Sequence, residues 1–341
     1  MQEEDIISFD NLFYTAIKCS KGVKWKPSVA NYMLNLLEET NKLYTELIED
    51  TYKERPHREF KIFEPKERDI LSISFRDRVY QRTLTDFIVY PKMTKGFIQT
   101  NCASQKDKGN DYARECLKYQ MRSYYQSHKS NKGYIIHIDI KKYYPTMNHE
   151  LALNLFKEKL PKWAYKRVEN ILKVYKGDIG YSAGSQLVQI LGIVMLDSLD
   201  HYIKEKMRVH YYIRYMDDLV LLVENNPQKY ISEIEEQLKT LCFEIHKDRV
   251  IYNTLSKGDT FLGFNYSLGD KGKVYMCLSK KNIKRRKKKI RTQGKHSTLK
   301  EFEESYQTWR SYASKSTNKK FLFDMDKYYS KYKEVYYDIK N

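Results

Sequence analysis

Arg214-Tyr215-Met216-Asp217-Asp218-Leu219-Val220-Leu221 is the stretch on which the reading of this chain turns. Val209 to Tyr215 and Leu219 to Val223 are rich in residues that fit a pleated, half-buried surface, and read as two strands. Met216-Asp217-Asp218 between them reads as the turn of a tight hairpin. Aspartate is common in turns because its side chain bonds the local backbone, so an Asp-Asp pair by itself is ordinarily structural. Here apolar residues flank the acids on both sides, which would hold the turn rigidly in a sheet. A third acid completes the pattern. Tyr134-Ile135-Ile136-His137-Ile138-Asp139-Ile140 is a strand dense in β-branched residues, and a charge near its end is out of place. If the two strands are neighbours, Asp139, Asp217 and Asp218 converge. Carboxylates on fixed strand ends supply the hard oxygen ligands that Mg²⁺ requires, and a pair of such ions can activate a hydroxyl and steady charge on a transferring phosphate.

Outward from these strands the periodicity changes. Residues 26–56 carry a helical pattern, with Val29, Met33, Leu36, Leu37, Tyr44 and Leu47 at steps of three, four and seven. Residues 60–70 alternate like a short hairpin, 75–90 return to helix, 96–109 are polar and irregular, and 110–127 are helical again. Helices are expected at 149–159 and 161–175, and Gln186 to Leu199 reads as one buried helix. An amphipathic helix follows at 227–241, then strand candidates from Phe243 to Ile251 and from Thr260 to Tyr266. This order implies an α+β fold, a small antiparallel sheet covered on one face by helices. Residues 271–341 hold 21 Lys and Arg against seven Asp and Glu, and read as a basic helical appendage packing through Ile283, Ile290, Leu299, Phe302, Tyr306 and Trp309.

The chain has 62 Lys and Arg against 44 Asp and Glu, a formal net charge of +18. Such a surplus says little about fold but attracts polyanions and holds them by releasing counterions. The 31 tyrosines suit base stacking as well as ordinary strands. Five scattered cysteines without a C-x-x-C pair suggest neither a structural zinc site nor a disulfide framework. The acidic start Met1-Gln2-Glu3-Glu4-Asp5 and the lack of a stretch of about 18 apolar residues point to a cytoplasmic, reducing setting with no membrane partner. His137, His149 and His201 have no spacing that implies a metal site and read as structural.

Tyr215-Met216-Asp217-Asp218 resembles the Tyr-x-Asp-Asp box of reverse transcriptases. Asp139-Ile140-Lys141-Lys142-Tyr143-Tyr144-Pro145-Thr146-Met147-Asn148-His149 resembles that family's first palm motif, and Phe261-Leu262-Gly263-Phe264 its primer-gripping hairpin. Phe75-Arg76-Asp77-Arg78-Val79 with Gln81 is similar to the fingers of bacterial members, and Pro65-Lys66-Glu67-Arg68 to the basic fingers element near the incoming triphosphate. The resemblance runs from about 60 to 270, with the motifs in the family's order.

What the resemblance implies is a right-hand polymerase: an N-terminal helical extension over 1–58, fingers over 59–133, a palm over 134–270 and a basic helical thumb or RNA-binding region over 271–341. The implied activity is RNA-directed DNA synthesis with two Mg²⁺ ions, Mn²⁺ being an acceptable substitute. Asp139, Asp217, Asp218 and Ile140 would be the metal-ligating positions, and the three acids the catalytic ones. Tyr144 would be the sugar gate that excludes a 2′-hydroxyl; Lys66 and Arg68 would meet the triphosphate; Arg249, better placed than Lys247, would assist the leaving pyrophosphate. Arg76, Arg78, Tyr215, Phe261, Leu262 and Gly263 would contact template or primer, as would Lys284, Arg285, Arg286, Lys287, Lys288 and Lys289, six consecutive cations that cannot all pack.

The pocket segment Gly180 to Gln189 fits the family in part. Gly184 would let backbone approach the nucleotide, but Ser182 and Ala183 stand where most members carry Pro-Gln, and Val188-Gln189 where they carry Ser-Pro. Gln189 and the run Met195 to His201 resemble the diversity-generating-retroelement branch, and the departures resemble phage-defence members. Partners implied are an RNA template or noncoding RNA, a DNA primer or product, deoxynucleoside triphosphates, and a partner protein or second copy. The expected setting is bacterial antiviral defence. The alternatives are mutagenic retroelement synthesis, a weakly templated or protein-primed polymerase making repeat or homopolymer DNA, and a catalytically silent RNA-binding subunit.

Overall fold

The computed structural model describes residues 2–63, 67–182 and 184–337. Lys66 and Ala183 lie outside the described residues. The chain opens with helices α1 (Glu3–Ile6), α2 (Phe9–Ser20), α3 (Pro27–Leu34) and α4 (Leu36–Ile48). The expected single helix over 26–56 is thus two, divided at Asn35, whose φ of −110° and ψ of 34° interrupt the helical run. Strands β1 (Arg58–Ile62) and β2 (Arg68–Ser72) form the expected antiparallel hairpin, with Ile62 opposite Arg68. Helix α5 (Phe75–Leu84), capped by Ser74, runs through a π turn at Thr85–Val89 into α6 (Tyr90–Met93). Helix α7 (Asn110–His128) follows the irregular segment.

Strand β3 (Tyr134–Asp139) leads into α8 (Tyr143–Thr146), α9 (His149–Lys159) and α10 (Lys162–Leu172). The buried apolar run divides into α11 (Gln186–Val194) and α12 (Asp197–His201) rather than one helix. Strands β4 (Tyr211–Tyr215) and β5 (Asp218–Val223), helix α13 (Pro227–Thr240) and strand β6 (Ile251–Thr254) complete a four-stranded sheet of order β4-β5-β3-β6. The strand expected from Phe243 to Ile251 is displaced. Phe243 and Ile245 do alternate inward, but only Ile245 finds a partner, at Ile140; a 3-10 turn at Lys247–Arg249 then intervenes.

The sheet is buried on both faces, not one. Ile136, Ile138, Leu219 and Leu221 face the helices, while Ile135, Ile213, Val220 and Leu222 pack on α7 and a second sheet. Burial on both sides is why these strands read as continuous apolar runs. The second sheet is β7 (Asp259–Phe261), β8 (Phe264–Leu268) and β9 (Val274–Leu278). The single strand expected over Thr260 to Tyr266 is therefore a hairpin, its turn made by Leu262 and Gly263 at φ of 45° and 87°. The region expected to be helical from 271 begins instead with β9, where Val274, Met276 and Leu278 alternate inward against β8.

Helices α14 (Lys280–Gln293), α15 (Leu299–Ala313) and α16 (Lys320–Tyr337) make a C-terminal bundle. Its core is Ile290, Phe302, Tyr306, Met325 and Tyr329, with Ile283 and Trp309 packed against it; Leu299 lies outside that core. The bundle is fastened to the β7–β8 turn. Arg114 of α7 stacks between Phe264 and Tyr312 and donates to the Leu262 carbonyl at 3.1 Å. Tyr312 of α15 donates to the same carbonyl at 3.1 Å, and a Cβ on Gly263 would strike its hydroxyl. No described helix is long and apolar enough to cross a membrane.

Candidate active site

The antiparallel register of β3 and β5 places Asp139 directly opposite Asp218. Directly opposed residues in such a pair have their Cα atoms about 4.5–5.5 Å apart, so the two carboxylates rise from one edge of the sheet. Asp217 is the next residue back along the β4–β5 turn, and its carbonyl accepts from the Ile140 N–H at 3.4 Å. All four expected metal-ligating positions therefore meet at one place.

Asp139 and Asp218 each face a basic side chain. Arg249 Nη1 lies 2.6 Å from Asp139 Oδ2. His137 Nε2 lies 3.4 Å from Asp218 Oδ1, and its Nδ1 lies 2.8 Å from Asp259 Oδ2. Burial opposes a charged ring on His137, yet the hydrogen bonds to Asp218 and Asp259 outweigh it and push its pKa up to about 10. Among the described residues no three His, Cys, Asp or Glu side chains are closed around one ion-sized point. The donor set fits Mg²⁺ nonetheless: hard oxygens on adjacent strand ends, held in register, with their negative charge already gathered and balanced by displaceable cations.

Tyr144 stands over this edge. Its hydroxyl donates weakly to Met216 Sδ at 3.8 Å and presses on α11 at Gly192, where a Cβ would collide with it. Burial first, and the charge of Asp217 second, push the Tyr144 hydroxyl up to about 12, with Arg68 opposing. Arg68, exposed at the start of β2, is thus within electrostatic reach of Tyr144.

Beneath the turn lies an ion pair that the sequence reading missed. Arg214 and Asp200 are both 0 % exposed. Arg214 Nε lies 2.8 and 3.0 Å from the two Asp200 oxygens and Nη2 lies 2.6 Å from Oδ2. Tyr212 also donates to Asp200, at 2.7 Å. Burial disfavours the Arg214 charge, but Asp200 more than offsets that and raises the guanidinium pKa.

The remaining expected residues are scattered. Gly184, at φ 146°, lines a polar cleft and also approaches the Leu71 carbonyl of β2, which a Cβ would strike. Gln189 and Arg78 line that cleft, of about 320 Å³, with Lys18, Gln81 and Arg82. Arg76 is not available to a template: it is buried, pairs with Glu46 and stacks over Tyr52. Arg286 is likewise withdrawn, stacking on Tyr306 and Trp309 and donating to Ser305 at 3.1 Å. Lys284, Arg285, Lys287, Lys288 and Lys289 stay exposed, and Lys284 and Lys287 line a groove of about 410 Å³ with Lys280, Arg291 and Tyr328. Phe261 is buried beside the His137 ring, while Tyr215 is half-buried between the two cores.

Residues 66–266 match the family described as reverse transcriptase (RNA-dependent DNA polymerase). The chain belongs to the reverse transcriptase family. No curated protein matches it in sequence. Among solved structures it is similar to apo telomerase from Candida tropicalis truncated from the C-terminal domain, at 14% identity and a TM-score of 0.47 over 64% of this chain and 54% of that one. It is also similar to telomerase from Candida albicans in complex with the TWJ fragment of telomeric RNA, at 13% identity and a TM-score of 0.47 over 88% of this chain and 65% of that one. The chain therefore spans between about half and two thirds of each of these structures. In this reverse transcriptase family member His137 was legible in hindsight. Strand alternation puts residue 137 on the same face as 139, so a histidine there points along the same surface as the acid.

Proposed function

We propose that this chain is an RNA-directed DNA polymerase that adds deoxynucleotides to a 3′-hydroxyl. The observation that carries the reading is the register of Asp139 against Asp218, with Asp217 one residue away and Tyr144 above. Asp139, Asp217, Asp218 and the main chain at Ile140 would hold two Mg²⁺ ions. When bound, these ions supply a more acidic primer hydroxyl and charge neutralisation at the transferring phosphate. Tyr144 presents its ring where the sugar edge of an incoming nucleotide would lie, excluding a 2′-hydroxyl by bulk. Arg249, beside Asp139, and Arg68, within electrostatic reach of Tyr144, would neutralise triphosphate oxygens through guanidinium forks, Arg249 leaving Asp139 to do so.

Primer extension on an RNA template with Mg²⁺ tests this. Asp217→Asn should lower the extension rate by about a thousandfold, the worth of several kcal/mol of lost metal-based stabilisation, while leaving the melting temperature in place. Full DNA synthesis by a folded Asp217→Asn protein would end the reading, and product formed without added or bound RNA would remove templating from it. For the biological setting we propose bacterial antiviral defence with a dedicated noncoding RNA, supported by the departures from the family pattern at Ala183 and Val188. Sequencing the nucleic acid that copurifies with the protein checks that setting.

A further inference from the structure

Met216 occupies the left-handed region, at φ 56°, in the turn that carries Asp217. A non-glycine residue persists there only when its surroundings hold it. The support comes from below. Arg214 Nη1 donates to the Met216 carbonyl at 3.1 Å, and Nη2 donates to the Ile193 carbonyl of α11 at 2.8 Å. The residue before Ile193 is Gly192, which seats the Tyr144 hydroxyl, and that hydroxyl in turn meets Met216 Sδ. The contacts form a closed ring: Arg214 to Met216, Met216 to Tyr144, Tyr144 to Gly192, and Ile193 back to Arg214. Asp200 fixes the guanidinium by bonding Nε and Nη2 together, which leaves Nη1 aimed at the turn.

We propose that Arg214, held by Asp200, is the positioning residue that locks the Met216–Asp217 turn, Tyr144 and α11 into one unit, so that metal affinity at the carboxylates and discrimination at the nucleotide sugar are set together. The inference rests on the reading of the three acids as metal ligands and of Tyr144 as the sugar-facing residue. A lysine at 214 keeps a buried charge for Asp200 but cannot reach Asp200, Met216 and Ile193 at once, because a single ammonium lacks the planar fork.

Single-nucleotide extension measures both quantities, the Mg²⁺ concentration giving half-maximal rate and the ratio of kcat/KM for deoxy- over ribonucleotide. In Arg214→Lys the Mg²⁺ midpoint should rise about tenfold, the low end of what losing the support of a metal ligand costs, and the sugar ratio should fall about as much. Should Arg214→Lys fail to fold, Gly192→Ala decides: it favours the helix but pushes the Tyr144 hydroxyl off α11 and against Met216, so both readouts should move in the same directions. A folded variant that shifts only its melting temperature, or one readout without the other, overturns the proposal. Tyr144→Ala separates the two premises. An unchanged sugar ratio in that variant means the sugar reading has failed, and the clamp is then judged on the Mg²⁺ midpoint of Arg214→Lys alone, an unmoved midpoint overturning it.

Discussion

Arg249 Nη1 sits 2.6 Å from the Asp139 carboxylate, and three residues earlier the His246 N–H donates to the Asp139 carbonyl at 2.8 Å. The bridge of Ile245 to Ile140 makes the second contact, and the 3-10 turn that displaced the expected strand makes the first, since an extended continuation from that bridge would carry residue 249 to the level of Ile136, away from Asp139.

On the proposed function this pairing would make Arg249 a competitor of the metal and, once released, a cation for the phosphates. Arg249→Ala should therefore tighten Mg²⁺ binding while slowing the reaction. Arg249 is about half exposed, so the pairing is screened and worth about 0.2–1 kcal/mol, up to a fivefold fall in the Mg²⁺ dissociation constant. The single-turnover rate should fall by at least about tenfold through the lost charge. Calorimetric Mg²⁺ titration and rapid-quench extension read the two effects. Weaker Mg²⁺ binding in the variant would show that Arg249 supports the acids instead.

Gly184 couples the pocket loop to β2. Alanine there would be strained at φ 146° and would drive its Cβ into the Leu71 carbonyl. The strain alone costs about 1–3 kcal/mol, so Gly184→Ala should melt several degrees lower. Because β2 also carries Arg68, the KM for deoxynucleotide should rise with little change in kcat once saturated. An unshifted KM in a folded variant would separate this contact from nucleotide binding.

The exposed cations of α14 should govern salt dependence rather than chemistry. Lys280, Lys284, Lys287 and Arg291 recur along one side of the helix and line the groove beside Tyr328. Replacing Lys284 and Lys287 by alanine should lower the slope of log affinity against log salt for duplex binding by about 0.9 each. Arg286→Ala should instead destabilise the C-terminal bundle, since that side chain is packed inside it. Filter binding across a salt series and thermal melting distinguish the two kinds of arginine and lysine in a run that looks uniform.

The strands carrying Asp139, Asp217 and Asp218 were legible because a charge inside an apolar run is costly to place unless a partner or an ion meets it. Helix existence was legible too, from periodicity. Breaks were not: Asn35 and the Met195-Leu196 step interrupt helices without a Pro or Gly to mark them. Strand β9 was hidden by its basic surroundings, where charge overshadowed the short alternation of Val274, Met276 and Leu278. Within the site, partnerships across 110 residues or more, such as Arg249 with Asp139 or His137 with Asp259, depend on which strands neighbour each other. Arg76 and Arg286 were misjudged for one reason: an arginine can bury its stem and plane against aromatics, so positive charge in sequence does not guarantee a charged surface.

The shared carbonyl of Leu262 constrains how the three C-terminal helices of such a chain can change. One oxygen serves donors from two distant helices, and Gly263 must stay bare beside it. A foreign set of last three helices would have to deliver a tyrosine to that oxygen and also match the seams at which Ser316 and Thr317 meet β9 and Lys315 meets Asp111 of α7, while its outer surface stayed free to differ. On the proposed function, the outer face of those helices would thus be free to diversify while the edge carrying Asp139 and Asp218 stays untouched.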